Sequence, residues 1–342
     1  RSLHNREELL KLANDKNVKK IYGPPNNCTA FERTVGLMAA SIFSLTYYIA
    51  PFYVLFALAR ILLYTTSLWT YVYLAPIMIS ASLPNFGMSR RILSSWVFRQ
   101  IPKYFDYVEI LEYSDEETAK HAKPLILAVQ PHGVFSYGGV CSAVVDYSSK
   151  IRMEIVHMFP TAVAAVLLSL PILKHILGVF GLVDAGKQSL VNRIKKGKST
   201  VLYVGGIAEL FLSSPEKEAI KSRRGFIKLA IQQGADVIPL YLFGNTTVLK
   251  VFTHPTLEKV SRKAGATLTL FWGICGLPLP FPKAVTYVRG KPLVLPHETD
   301  PSKVDGLVEV YLKKYEEEVK RIFEAYKKVN PDYAGKKLEV KQ

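Results

Sequence analysis

The stretch LILAVQPHGVFSYGG, Leu125 to Gly139, sets the frame for the whole chain. Leu125 to Val129 is a short unbroken apolar run of the kind expected for a strand buried on both faces. It ends at Gln130, passes through the rigid Pro131, presents His132 and frees the backbone at Gly133. A histidine set between proline and glycine at a strand's end is placed either to face a cleft or to sit hydrogen-bonded inside a turn. The remainder of the chain has to decide between these.

Downstream the same grammar repeats. STVLYV (Ser199 to Val204) is a second strand and runs into the turn GGIAEL, with Gly205, Gly206 and Glu209. RRGFIKLAIQQG is an amphipathic helix ending at Gly234, and DVIPLYLFG is the next strand. YGGVCSAVVDY, AGKQSLVNRIKKG (with Asp184 as expected N-cap) and the 3–4 spacing of Val308, Tyr311, Leu312, Tyr315, Val319, Ile322, Phe323 and Tyr326 give further helices, the last an amphipathic surface helix. MFPTAVAAVLLSLPILKHILGVFGL is apolar almost all round and broken by Pro160 and Pro171, as expected of a core or acyl-contacting helix pair. Strands alternating with helices imply an α/β sheet with its ligand chemistry at the strand ends.

Upstream the sequence changes character. Thr34 to Ala59 and Ile61 to Ser89 carry no charge, with Arg60 alone between them. A spanning helix needs roughly 20 apolar residues, so residues 34–89 are expected to form a membrane hairpin of two hydrophobic helices. Residues 1–33 would then be a cytosolic N-terminal segment and 90–342 a domain resting on the membrane. Lys19, Lys20 and Arg33 precede the hairpin and Arg90, Arg91, Arg99 and Lys103 follow it, which places both ends on the cytosolic side. Pro51 and Pro76 within the segments also allow a hairpin that dips in without crossing.

The composition agrees. Of the residues, 49% are hydrophobic, yet 44 Lys+Arg against 28 Asp+Glu give a net charge of +16. That excess calls for an anionic partner, and the hairpin favours phospholipid or a phosphorylated co-substrate over nucleic acid. Cys28, Cys141 and Cys275 have neither metal-ligand spacing nor an even count.

Two familiar chemistries are set aside on their spacing. GLVDAGKQ (Gly181 to Gln188) fits a phosphate loop except at its last place, where Gln188 stands instead of the magnesium-binding hydroxyl. No Gly-x-Ser-x-Gly elbow supplies a serine nucleophile. What remains is a base, His132, and a carboxylate, Glu209, each at a glycine-bearing strand end. A carboxylate behind an imidazole would fix its tautomer and stabilise the imidazolium; the alternative for Glu209 is a helix-start carboxylate satisfying backbone N–H groups. Amides near Gly133, Gly205 or Gly206 are candidates to meet an oxyanion. The cluster KSRRGFIK, with Lys221, Arg223, Arg224 and Lys228, opens a helix and suits phosphate, or else forms a solvated basic face. Together these parts suggest acyl transfer from a CoA thioester to a lipid alcohol.

VQPHGVFSYG, YVGGIAEL, RRGFIKLAIQQGADVIPLYLFGN and WGICGLPLPFPKAVTYVRGKPL occur in the order found in the type-two diacylglycerol acyltransferase family, which includes monoacylglycerol and wax-alcohol acyltransferases. The chain resembles that family from about Leu125 to Pro296, with the hydrophobic hairpin before it. The resemblance implies an α/β acyltransferase domain with a mixed sheet on the cytosolic face of the endoplasmic reticulum, or on lipid droplets. It implies acyl-CoA as co-substrate, no metal or other cofactor, and His132 as base with Glu209 as its partner. Diacylglycerol is the expected acceptor, with a monoacylglycerol or wax alcohol as the alternative; a homo-oligomer is left open. Two positions depart from the pattern. Gln130 stands where many relatives have a histidine and cannot be a base at neutral pH, and Asn245 follows Gly244 where relatives have glutamate. Gln130 is also the best argument for the rival expectation, a lipid-binding protein without chemistry.

Overall fold

The computed structural model describes residues 3–23, 28–144, 149–212, 217–264 and 269–341. Its strands are β1 (Lys20–Tyr22), β2 (Val108–Leu111), β3 (Leu125–Gln130), β4 (Thr161–Val163), β5 (Val183–Asp184), β6 (Thr200–Tyr203), β7 (Lys217–Lys221), β8 (Asp236–Phe243), β9 (Lys250–Val251), β10 (Phe271–Trp272), β11 (Thr286–Arg289) and β12 (Lys337–Lys341). Eight of them form one mixed sheet in the order β1-β2-β11-β8-β3-β6-β4-β5. The run β8-β3-β6-β4-β5 is parallel, while β11 runs antiparallel to β8 and β1 antiparallel to β2. Every residue of β3 and of β8 is buried. This is why both appear in the sequence as continuous apolar runs rather than alternating ones.

Because β8, β3 and β6 are adjacent and parallel, their carboxyl ends lie side by side. Those ends carry Asn245, His132 and Gly205–Gly206. The β11 and β2 strands, which complete the sheet, lie in sequence not singled out above as strand. The acidic stretch YSDEETAKHAKP before β3, which by composition looks like a turn-rich connector, is structured: Ser114 and Glu117 form a capping box on helix Asp115–Ala119. The helix expected through YGGVCSAVVDY runs Tyr137–Val144, and residues 145–147 lie outside the described ones. Asp184 belongs to β5 instead of capping the next helix; Gly186 is the cap, and its amide donates to Asp184 Oδ1 at 3.0 Å.

Helices cover both faces. Helix Arg224–Gln233 and the C-terminal helix Pro301–Tyr326 pack on one. The expected surface helix at the C-terminus is therefore a cover for the sheet, with Val308, Leu312, Tyr315, Val319, Ile322, Phe323 and Tyr326 all buried and Tyr311 only half so.

The opposite face meets the N-terminal helix Ala30–Leu63, which starts on a capping box between Thr29 and Glu32. Its first half is domain core. Gly36 lies so close to the Gln100 carbonyl that a Cβ would come within 2.4 Å of it. Phe43 stacks on Phe135, Ser44 donates to the Pro278 carbonyl, and Tyr48 donates to that of Phe271. Beyond Pro51 the surroundings fall away, leaving Leu55 61% and Leu62 82% exposed. Helix Leu68–Ser82 returns beside it with Leu68 and Trp69 also exposed. Arg60, instead of separating two spans, lies in the last turn of the first helix with its guanidinium over Phe56, Tyr64 and Tyr73. Among the described residues one helix, Ala30–Leu63, is long and apolar enough to cross a membrane; its partner has 15 residues.

Candidate active site

The chain leaves β3 through Gln130, Pro131 and His132 into Gly133, whose φ of +66° is open to glycine. A side chain there would also meet the Asn245 carbonyl at 2.4 Å. Asn245, at the neighbouring end of β8, clamps this turn. Its Nδ2 donates to the carbonyls of Pro131 and His132 at 3.1 and 2.5 Å, and its Oδ1 accepts from the Gly138 amide at 3.1 Å. The position that departs from the family pattern thus holds the Pro131–Gly133 turn by both ends of one amide.

His132 is half-buried. Its Nδ1 lies 2.6 Å from the Gly133 carbonyl, and a carbonyl can only accept, so Nδ1 carries the proton and Nε2 the lone pair. Nε2 has no hydrogen-bond partner among the described residues. Burial lowers the pKa of His132 from its ordinary value, opposed by the bond to Gly133. The imidazole is neutral at pH 7 and free to accept a proton. Tyr203, at the end of β6, packs edge-on with ring centroids 4.5 Å apart, and its hydroxyl bonds to Ser136.

Glu209 enters the same site from below. Its carboxylate lies over Gly205, where a Cβ would come within 1.9 Å of it, so glycine is required there for space. Gly206 turns at φ +61°. The expected contact between Glu209 and the imidazole is not formed. Oε2 accepts from the backbone amide of His132 at 3.1 Å, and Oε1 accepts from Gln130 Nε2 at 2.5 Å and from the Lys221 amide at 3.1 Å. The reason is geometric: Nδ1 is already occupied by Gly133, and the carboxylate lies beneath the turn, where main-chain N–H groups point. Burial pushes its pKa up to about 7, against the lowering effect of the Lys221 amide, Gln130 and the His132 amide.

Gln130 is fully buried and saturated. Beyond Glu209, its Nε2 donates to the Lys221 carbonyl at 2.9 Å, and its Oε1 accepts from Tyr315 of the C-terminal helix at 2.8 Å. Tyr315 entered the sequence reading only as part of an apolar stripe; nothing in that periodicity marks it as a partner of the site.

The basic cluster divides. Lys221 and Arg223 line the same cavity as His132. Arg224 and Lys228 turn instead to the C-terminal helix, 3.3 Å from Glu309 and 2.9 Å from Asp305, both pairs largely exposed. The cavity itself has a volume of about 1150 Å³, larger than the roughly 300–1,000 Å³ usual for small ligands. Its walls are mainly aliphatic and aromatic. They include Leu167, Leu170, Leu173 and Leu177 from the segment expected to contact an acyl chain, and Phe52 from the hairpin.

An imidazole with one free nitrogen, in a mainly apolar cavity that Lys221 and Arg223 also line, is arranged for transfer to or from a long-chain substrate. A profile described as "Diacylglycerol acyltransferase" matches residues 61–341. The chain belongs to the diacylglycerol acyltransferase family. It is therefore an acyltransferase. The human 2-acylglycerol O-acyltransferase 3 is 27% identical over 89% of this chain and 93% of its own length. The human diacylglycerol O-acyltransferase 2 is 26% identical over 70% of this chain and 66% of its own. The solved 1-acyl-sn-glycerophosphate acyltransferase of Thermotoga maritima covers 85% of this chain at 15% identity and a TM-score of 0.37, a likeness too loose to bear on the fold. The family match begins at residue 61, so the half of the long helix built into the domain precedes it.

Proposed function

We propose that this acyltransferase moves a fatty acyl group from acyl-CoA to the free hydroxyl of a diacylglycerol. The observation that carries the reading is the unpartnered Nε2 of a neutral His132, opening on a large apolar cavity. As the acceptor oxygen forms its bond to the thioester carbonyl carbon, Nε2 takes the hydroxyl proton. Backbone amides at the glycine turns, Gly133, Gly205 and Gly206, are the proposed donors to the developing oxyanion. Collapse breaks the carbon–sulfur bond, and the imidazolium returns its proton to the departing CoA thiolate. Triacylglycerol and CoA result.

Glu209 acts on this step as a positioning residue: it holds the His132 amide, with Gln130 and Tyr315 behind it. Lys221 and Arg223 supply positive charge for CoA phosphates. The exposed apolar hairpin beyond Pro51 serves as a membrane anchor, and the Lys and Arg residues flanking it favour a cytosolic face of the endoplasmic reticulum or a lipid droplet for residues 90–342. A monoacylglycerol acceptor is the second reading, favoured by the name of the 2-acylglycerol acyltransferase that matches over most of both chains. Purified protein given labelled oleoyl-CoA and equal amounts of diacylglycerol, monoacylglycerol and a long-chain alcohol should make mainly labelled triacylglycerol. A labelled diacylglycerol product would select the second reading. No ester from any acceptor would overturn both.

A further inference from the structure

The cavity has a second polar place, remote from His132. Register sets its position. On the sheet face that lines the cavity, Val129 of β3 pairs with Leu240 of β8 and Leu240 with Arg289 of β11. Tyr287 of β11 pairs in turn with Glu109 of β2. Arg289 therefore lies two strands from β3 and Glu109 three, on the order of 10 and 14 Å at the usual interstrand spacing.

There Glu109, Arg152 and Arg289 line the cavity, and each is at least 96% buried. Arg152 donates from Nη2 to Glu109 at 2.6 Å and from Nη1 to Asp115 at 3.0 Å. Arg289 donates from Nη2 to Asp115 at 2.6 Å and from Nε to the Tyr113 carbonyl at 3.2 Å. Two carboxylates face two guanidiniums, so the cluster is close to neutral. It is not saturated. Arg289, a lining residue, has no hydrogen-bond partner on Nη1 among the described residues, whereas the equally unpartnered Arg152 Nε is closed off from the cavity. Buried donors are almost always paired, and neither acid has to be displaced to pair Arg289 Nη1.

We propose that this seat binds a neutral oxygen, a hydroxyl or keto group, carried in the middle of a fatty chain whose reacting end lies at His132. A net-neutral cluster with donors to spare suits a neutral acceptor atom; a carboxylate or phosphate would leave its own charge uncompensated. The distance excludes the glycerol oxygens of an acceptor whose hydroxyl is at His132, because they lie within a few bonds of it. The inference rests on the reading of the cavity as the acyltransfer site, and it names the chain that site prefers.

Oleoyl-CoA and the same chain hydroxylated at mid-chain are competed for plain diacylglycerol. In a second arm the hydroxylated chain is carried by the diacylglycerol and the donor is plain. One added hydrogen bond should give a preference of about five- to tenfold in kcat/KM, in the arm whose chain occupies the seat. Arg289→Lys removes Nη1 while keeping a cation beside Asp115, and the ratio should fall to near one whatever the absolute rate. Tyr22→Phe is the control for a purely structural network. It removes the 2.9 Å bond to Asp115 from a residue that does not line the cavity, so the preference should survive. Displacement of a fluorescent fatty acid by plain and hydroxylated fatty acids gives the same ratio without turnover, so an inactive preparation still decides the question. No preference in either arm or in binding, or a preference that persists in Arg289→Lys, would overturn the seat and leave Arg289 as an internal ion pair with Asp115.

Discussion

The turn Gln130–Gly133 and the apolar run 34–89 were the two plainest features of the sequence, and they are held in opposite ways. The turn is tied by directional bonds: Glu209 on the His132 amide, Asn245 on two carbonyls, Gly133 on the imidazole, and Tyr315 on Gln130. Apart from Gly133, each partner comes from a different stretch of chain. The apolar run is held mainly by packing, with scattered single hydrogen bonds to the domain at Ser44, Tyr48, Ser80 and Leu83. It splits at Pro51 into a half buried against the domain and a half left bare. Hydropathy says that a surface needs cover and is silent on whether protein or lipid provides it. A turn motif says which atom can act and is silent on what holds it.

The largest effect should fall on the acting atom. His132→Ala should lower kcat by about 10²–10⁴ while the KM for acyl-CoA stays within a few-fold, because proton transfer belongs to the transition state. Steady-state ester synthesis with both substrates varied measures this. A mutant retaining a tenth of wild-type kcat would reduce the turn to scaffolding.

Legibility follows the same division. Continuous apolar runs gave β3, β6 and β8, and strand-ending glycines gave the right edge of the sheet, because those signals are local. The glycines at 133, 205 and 206 were legible for the same reason. The wiring was not. Gln130 looked like a weakened histidine, yet it is a saturated bridge whose partners Glu209, Lys221 and Tyr315 are 79 to 185 residues away. Asp115, within an acidic connector, reads as solvated until Arg152 and Arg289 are folded onto it. Charge in a sequence carries no label for burial, and ion pairs made across the sheet leave no periodicity.

The two halves of the long helix offer the next test. Phe43 is 1% exposed and packs on Phe98, Phe135 and Phe180. Phe43→Ala should cost about 3–5 kcal/mol of stability, read by denaturant unfolding in detergent. Replacing Leu62, Leu63, Leu68 and Trp69 together with serine should leave the unfolding midpoint nearly unchanged and shift much of the protein from pelleted membranes to supernatant in high salt. Full retention on membranes would mean that another surface is the main anchor.

Glu209 sharpens the contrast on the polar side. Its folded pKa, about 7, stands above the carboxylate's ordinary 4.5. Between those values the folded state holds more protons than the unfolded state. Stability from this group therefore falls as pH rises from 4.5 through 7 and is lowest above 7. Glu209→Gln should flatten that slope. Its amide also turns one N–H donor toward the donors of Gln130, Lys221 or His132, at a cost of about 1–3 kcal/mol. Unfolding at pH 5 and pH 8 measures both. The kcat profile adds a second reading. A lone His132 base, with its pKa lowered by burial, puts the acid limb below the ordinary imidazole range, whereas a limb near 7 would mean that turnover needs Glu209 ionised. An identical pH slope in wild type and Glu209→Gln would show that the carboxylate is not the group titrating.

The smallest expected effect separates two arginines that the sequence presents as equals. Arg223 lines the cavity and stands beside Gly206, with its guanidinium 3.3 Å from where that residue's Cβ would lie. Arg224 is turned to Glu309 in an exposed pair at 3.3 Å, an arrangement worth about 0–1 kcal/mol. If Arg223 holds a CoA phosphate in the ground state and the transition state alike, Arg223→Ala should raise the KM for acyl-CoA by about tenfold, the loss of one charge-assisted hydrogen bond, and leave kcat within about twofold. Arg224→Ala should change neither by more than about twofold. Measuring both variants at high and low salt adds a control, because a diffuse basic surface would weaken in both variants alike and screen away with salt. Equal increases in KM for the two would assign acyl-CoA binding to the net charge of the cluster and remove the distinction that the cavity draws between them.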